Sequence, residues 1–142
     1  MARLVLLGQG LYYLVAGTWP LLHMRSFVAI TGPKTDLWLV RTVAALIVVI
    51  GGVLSLAALR RREVPEISLL AVGSALALTA IDLFYSLRGR ISRIYLLDAA
   101  GEMILALALA AGLASRSPRE VEELAPSRTA DRPRRSPFHR AR

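Results

Sequence analysis

Four long apolar runs constrain this chain more than any other feature of its sequence. They cover residues 4–19, 37–59, 67–87 and 94–114. With a rise of about 1.5 Å per residue, a helix built from any of the last three is roughly 30 Å long, which matches the hydrocarbon core of a bilayer. A surface helix of a water-soluble domain keeps its apolar residues to one stripe instead. The runs therefore predict an all-α integral membrane protein.

The predicted fold is an antiparallel four-helix bundle with spans at about 3–19, 37–59, 66–87 and 93–114. Pro20 is expected to end the first helix, and Pro65 to lie in the first turn of the third. Residues 21–30 mix apolar and polar side chains, which predicts a short interfacial segment after helix 1. These elements form a predicted transmembrane domain of residues 1–114. A disordered basic cytoplasmic tail is expected at residues 115–142, which show no apolar periodicity.

The first run is the shortest, and a cleaved signal peptide is the alternative interpretation for it. Arg3 would supply the basic start of such a peptide. However, Gln9, Tyr12 and Tyr13 interrupt the apolar core, and no Ala-x-Ala cleavage site follows. These interruptions favour a membrane span.

The net charge of +8 lies mainly in the loops and the tail. Basic residues beside apolar spans face anionic lipid headgroups, whereas a nucleic-acid-binding protein carries a basic stripe, so no nucleic-acid partner is expected. The loop at residues 60–62, with three arginines, and the tail favour both termini in the cytoplasm, in the inner membrane of a bacterium. The tail has two interpretations. It binds anionic lipid or an acidic partner, or it is a solvated appendage.

Familiar catalytic and metal-binding patterns do not occur in the sequence. Cysteine is absent, and His23 and His139 are the two histidines. A His/Cys metal cluster is therefore not expected, and no cofactor is implied. No nucleotide-binding loop, metalloprotease motif or serine-hydrolase motif is present.

Four charged residues interrupt the predicted spans. Arg41, Asp82 and Asp98 fall at nearly one depth, and Glu102 lies one turn deeper. A charge at mid-bilayer costs about 2.5–3.5 kcal/mol on insertion scales, so such residues usually face the bundle interior and pair. We expect all four to point inward, with Arg41 in ion-pair reach of at least one carboxyl. The same layer is expected to include the polar side chains of Gln9, Tyr13, Tyr85 and Tyr95.

This polar layer has two interpretations. In a structural network, Arg41 pairs with an acid and fixes the helix register. In a pocket, the acids bind a small amphiphile or lipid-like ligand that enters from the outer leaflet. The pocket is favoured, because one arginine leaves carboxyls uncompensated.

Three further functions remain open from the sequence, although it leans away from an enzyme. They are a proton-coupled transporter subunit, an enzyme that uses the carboxyls as acid and base on an apolar substrate, and an accessory subunit of a membrane complex. A homodimer or a larger membrane complex is a possible assembly, because four helices enclose little volume.

Four segments resemble a group of small bacterial four-span membrane proteins. They are WPLLHMRSF (19–27), TGPKTDLWLV (31–40), IDLFY (81–85) and IYLLDAAGE (94–102). The resemblance covers roughly residues 5–112 and implies the four-helix membrane architecture without an activity. In helix count and intramembrane acids, the chain is also similar to the EXPERA family of sterol isomerases and lipid-ligand receptors, and to DoxX-like proteins. That similarity stays at the level of the fold and carries over no site residues.

Overall fold

The computed structural model describes residues 2–62 and 64–115, and these residues form an all-helical fold. Its elements are α1 (Ala2–Leu22), α2 (Met24–Thr31), α3 (Leu37–Leu59), α4 (Pro65–Leu87) and α5 (Tyr95–Ala114). The four longer helices are each long and apolar enough to cross a membrane, as the sequence predicts. Apart from Ser115, the predicted tail lies outside the described residues.

The end of the first helix differs from the expectation. Helix α1 continues through Pro20 to Leu22, so the prediction that Pro20 ends it is wrong. A proline removes the backbone hydrogen bond from its own position to the preceding turn, but the residues after it can still bond in the helical pattern. The His23 amide donates to the Trp19 carbonyl at 2.8 Å, so the chain turns from α1 into α2 through this single residue. Pro65, by contrast, begins α4 as predicted.

The closest helix packing joins α1 to α3. Glycines allow the two backbones to meet, since a Cβ atom added at Gly51 would lie 2.7 Å from the Gly10 carbonyl oxygen. Farther along α1, a Cβ atom at Gly17 would lie 2.7 Å from the Ala44 carbonyl oxygen. Later residues of α1 therefore meet earlier residues of α3.

Helices α4 and α5 form the second extensive pair. Both helices carry buried alanines, namely Ala71, Ala75, Ala99 and Ala106, and the Thr79 hydroxyl of α4 donates to the Ala99 carbonyl of α5 at 3.4 Å. Contacts between the two pairs are fewer, and they run mainly from α1 to α5 and more sparsely from α3 to α4. The molecule is thus two tight helix pairs joined along a less extensive seam.

The interior of the fold contains several polar side chains among apolar ones, and its surface is largely apolar. Gln9, Asp82 and Glu102 are buried. On the outside, large apolar side chains such as Leu4, Trp38 and Leu69 are at least two-thirds exposed. A water-soluble domain shows the opposite distribution, because water solvates polar groups and excludes apolar ones. Water is therefore a poor solvent for this surface.

Two adjacent glycines test the α1–α3 contact. We expect Gly51→Ala to destabilise the fold by roughly 1–3 kcal/mol, because the new methyl group collides with backbone atoms of α1. Gly52→Ala is the matched control, since a Cβ atom there meets nothing within 4 Å. It should be neutral or stabilising by about 0.5–1 kcal/mol, because alanine favours the helix over glycine. Unfolding in mixed micelles, followed by circular dichroism, measures both, and equal effects at the two positions would contradict the packing described here.

Candidate functional site

The centre of the polar layer is Tyr13 on α1. Its hydroxyl donates a 2.8 Å hydrogen bond to Glu102 Oε2 on α5. Gln9, one turn earlier on α1, donates from Nε2 to the Tyr13 hydroxyl at 3.2 Å and to the Ala71 carbonyl of α4 at 2.8 Å. Tyr13 and Glu102 are each 1% exposed. These bonds tie α1 to both helices of the other pair, as the i, i+4 spacing of Gln9 and Tyr13 allows.

A second tyrosine–carboxylate pair lies beside the first. The Tyr12 hydroxyl donates to Asp98 Oδ1. Asp98 precedes Glu102 by one turn of α5, so two consecutive tyrosines of α1 reach two carboxyls on one stripe of α5. Tyr12 is 37% exposed, whereas Tyr13 is fully enclosed. The Tyr12–Asp98 pair is therefore the more accessible of the two, and we call it the outer pair and Tyr13–Glu102 the inner pair.

Sequence reasoning did not assign Tyr12 to the layer. The available signal was its position beside Tyr13, at the depth where Asp98 and Glu102 lie one turn apart. Consecutive residues of a helix point about 100° apart, so Tyr12 would ordinarily face away from the partner of Tyr13. A tyrosine side chain is long enough to reach α5 from either position, and the contact depends on that reach.

Asp82 is the third carboxyl of the layer, and it lacks the tyrosine donor that each of the other two has. It lies on the buried stripe of α4 with Thr79 and Ser86 and is 6% exposed. Its Oδ2 atom has no hydrogen-bond donor among the described residues. The charges of Asp82 and Asp98 both act on Glu102, so the three acids form one electrostatic group.

Arg41 does not join this group, and the prediction that it points into the bundle is wrong. It lies in the first two turns of α3, where Trp38, Leu39 and Val43 are also exposed. The close contacts of α3 with α1 run from Ala44 to Ser55, and Arg41, three residues before Ala44, is exposed. A long arginine stem can lie on an apolar surface while the guanidinium reaches a polar boundary.

Because Arg41 lies outside the layer, the three acids lack the cation that the sequence predicts for them. Among the described residues, Tyr12 and Tyr13 donate side-chain hydrogen bonds to these carboxyls, and no Lys or Arg does. Their interaction with one another is repulsive. A bound cation, or protonation of the carboxyls, would therefore stabilise the layer.

Two predicted members of the layer lie apart from it. Tyr85 is exposed, and its ring packs edge-on against Phe84 with centroids 5.2 Å apart. Tyr95 is half-buried beneath the Lys34 ammonium group, which lies 4.8 Å from the ring centroid. Neither side chain hydrogen-bonds to a carboxyl of the layer in the described structure. Gln9 and Tyr13, in contrast, lie at its centre.

Neither a metal-binding set nor a known relative identifies the site. In residues 2–62 and 64–115, no group of three or more His, Cys, Asp or Glu side chains is arranged to hold a metal ion. No protein-family model, curated protein or solved structure matches the chain. The function proposed for the site therefore rests on the geometry of the polar layer.

The inner pair is tested by removing one oxygen atom. Tyr13→Phe should lower the free energy of unfolding by about 1–2 kcal/mol, because buried Glu102 loses its donor and Gln9 loses one of its acceptors. Tyr85→Phe removes the same atom from an exposed ring and should change stability by less than about 0.5 kcal/mol. Denaturation in mixed micelles compares the two variants. A Tyr13→Phe protein as stable as the Tyr85→Phe protein would show that the inner bond does not join the helix pairs.

Proposed function

We propose that the chain is an integral protein of a bacterial inner membrane, in which the four long helices cross the bilayer as an antiparallel bundle. The apolar outer surface supports this proposal, since lipid tails solvate exposed Leu and Val side chains and water does not. The α1–α3 contacts support it too, because Gly10 meets Gly51 whereas Gly17 meets Ala44. Both termini face the cytoplasm, with the exposed arginines of residues 60–62 on the same side.

Cysteine labelling tests this orientation in a chain that has no cysteine of its own. Thr35 lies between α2 and α3, and Arg62 lies between α3 and α4, and both are exposed. A membrane-impermeant maleimide should label Thr35→Cys in intact cells and Arg62→Cys only after permeabilisation. Labelling of Arg62→Cys alone in intact cells would indicate the opposite topology. Labelling of both variants in intact cells would show that α3, which lies between the two positions, does not cross the membrane.

We further propose that the bundle binds a small cationic amphiphile with its positive head at Asp82, Asp98 and Glu102. One observation carries this proposal: Asp82 is buried without a donor to Oδ2, in a layer whose acids no basic side chain compensates. A buried charge is expensive unless it is paired and hydrogen-bonded. A protonated amine supplies both the charge and the N–H donors that this layer lacks.

The apolar part of such a ligand has a place as well. Asp98 is half-buried at the edge of the layer, and the outer faces of α1 and α5 carry exposed side chains such as Leu11, Leu97 and Ile104. A single alkyl chain can lie against these faces, in the medium that already covers them, while its head reaches the carboxyls. Binding then buries one charge and leaves the tail in lipid.

The experiment uses n-dodecylamine and its neutral analogue 1-dodecanol. We expect native mass spectrometry of the full-length protein, released from nanodiscs, to show amine retained on the protein and no comparable retention of the alcohol. Asp82→Asn should weaken amine binding by about tenfold or more, because a hydrogen bond to a charged group is lost.

The control for this variant lies on the same helix. Glu66 is exposed in the first turn of α4, so Glu66→Gln removes one negative charge without touching the layer. It should leave amine retention unchanged. Equal retention of amine and alcohol, or an Asp82→Asn variant that retains as much amine as the unaltered protein, would overturn the proposed site.

A further inference from the structure

Helices α1 and α5 are close at one end of their seam and separated at the other. At the close end, a Cβ atom added at Gly112 would lie 3.2 Å from the Ala2 backbone nitrogen. At the level of the carboxyls, a Cβ atom at Gly101 meets nothing within 4 Å. There the tyrosine side chains of α1 span the distance to α5. The seam is therefore narrow near Gly112 and bridged by side chains near Gly101.

The two bridging bonds lie one turn apart along α5 and differ in exposure. Tyr12 and Asp98 form the outer bond, and both are accessible at the surface of the seam. Tyr13 and Glu102 form the inner bond, and both are enclosed. A molecule that approaches this face from the surrounding lipid can contact the Tyr12–Asp98 bond, whereas the Glu102 carboxyl is enclosed.

We propose that the α1–α5 seam is the lateral entrance to the acidic site, and that Tyr12 and Asp98 form an outer subsite that closes it. This inference rests on the proposed binding of a cationic amphiphile and names its route and headgroup class. The ligand is an amine with at least one N–H group. On entry, that N–H donates to Asp98 in place of the Tyr12 hydroxyl, and Tyr12 swings away.

The exchange of donors follows from the chemistry of the two partners. A tyrosine hydroxyl offers Asp98 a neutral donor, whereas an ammonium group offers a donor that also carries charge, and charge-assisted hydrogen bonds are stronger. A quaternary ammonium group carries the charge without any N–H, so it cannot replace the hydroxyl. The outer subsite thereby selects protonated primary or secondary amines over quaternary ones.

Access to Glu102 can be measured without any amine. Dicyclohexylcarbodiimide is an apolar reagent that modifies carboxyl groups from within the membrane. Tandem mass spectrometry that assigns the adduct to Glu102, and not to Asp98 in the same peptide, follows the rate of modification. We expect Tyr12→Phe to speed modification of Glu102 by about tenfold, since the closing hydrogen bond to a charged group is lost. Tyr85→Phe, which removes a hydroxyl outside the layer, should leave the rate unchanged.

A second variant protects this test against misfolding of the first. Asp98→Ala removes the same bond from the α5 side and should also speed modification of Glu102. Circular dichroism and gel filtration of each variant report whether the helices and the monodisperse state are retained. Equal rates in the unaltered protein and in two folded variants, including no modification in any of them, would overturn the entrance.

The amine experiment then separates the two proposals. In the unaltered protein, n-dodecylamine should slow carbodiimide modification of Glu102, whereas dodecyltrimethylammonium should not. Protection by both amines alike would overturn the headgroup class. If Tyr12→Phe opens Glu102 to the carbodiimide but neither amine binds, the seam is an entrance and the proposed ligand is wrong. If amines bind and Tyr12 has no effect on access, the ligand stands and the entrance lies elsewhere.

Discussion

The hydrogen bond from Tyr13 to Glu102 joins two helix pairs whose backbones approach each other at fewer places than the helices within each pair. Helices α1 and α3 pack along their glycines, and a buried apolar cluster with residues of all four long helices lies between the pairs. Tyr13 and Gln9 together reach both helices of the second pair. This connection sets the register in which Tyr12 meets Asp98.

The helix packing is consistent with lipid, the solvent that the apolar surface indicates. Lipid tails are as apolar as leucine, so burying apolar side chains between helices gains little there, and close backbone contact and hydrogen bonds matter more. Gly10, Gly17 and Gly51 provide the close contact. The polar side chains, which would be costly on the outside, provide the bonds between pairs. Apolar surroundings thus account both for the small residues between α1 and α3 and for the polar residues between the two helix pairs.

The three carboxyls differ in how well the fold supports them, and this difference directs the functional proposal. Glu102 has a donor in Tyr13, and Asp98 has a donor in Tyr12. Asp82 is buried with one oxygen unpartnered among the described residues. A network selected only to hold helices together gains nothing from a third acid that repels the other two. A site for a positively charged group gains from each of them.

Much of the architecture could be predicted from the sequence, because helix length and apolarity are local properties. Runs of about twenty apolar residues predict long apolar helices wherever those helices later pack, and the structure has four of them. Counting residues from the helix ends also placed Asp98 one turn from Glu102 on one stripe of α5, since 3.6 residues complete each turn. The end of α1 differs from the prediction because a proline removes only its own amide bond to the preceding turn, and amides after Pro20 can still bond, as that of His23 does to Trp19.

The tertiary structure decided which side chains meet. The position of Arg41 along α3 follows from the sequence, but whether a neighbouring helix covers it depends on the packing. The close contacts with α1 run from Ser55 to Ala44 of α3, and Arg41 beyond them is exposed. The Tyr12–Asp98 bond likewise depends on the spacing of α1 and α5. Coverage by a neighbouring helix and the spacing between helices arise from contacts between distant segments, and the periodicity of a single helix carries no information about either. Only the packed structure therefore shows that the three acids lack their expected arginine.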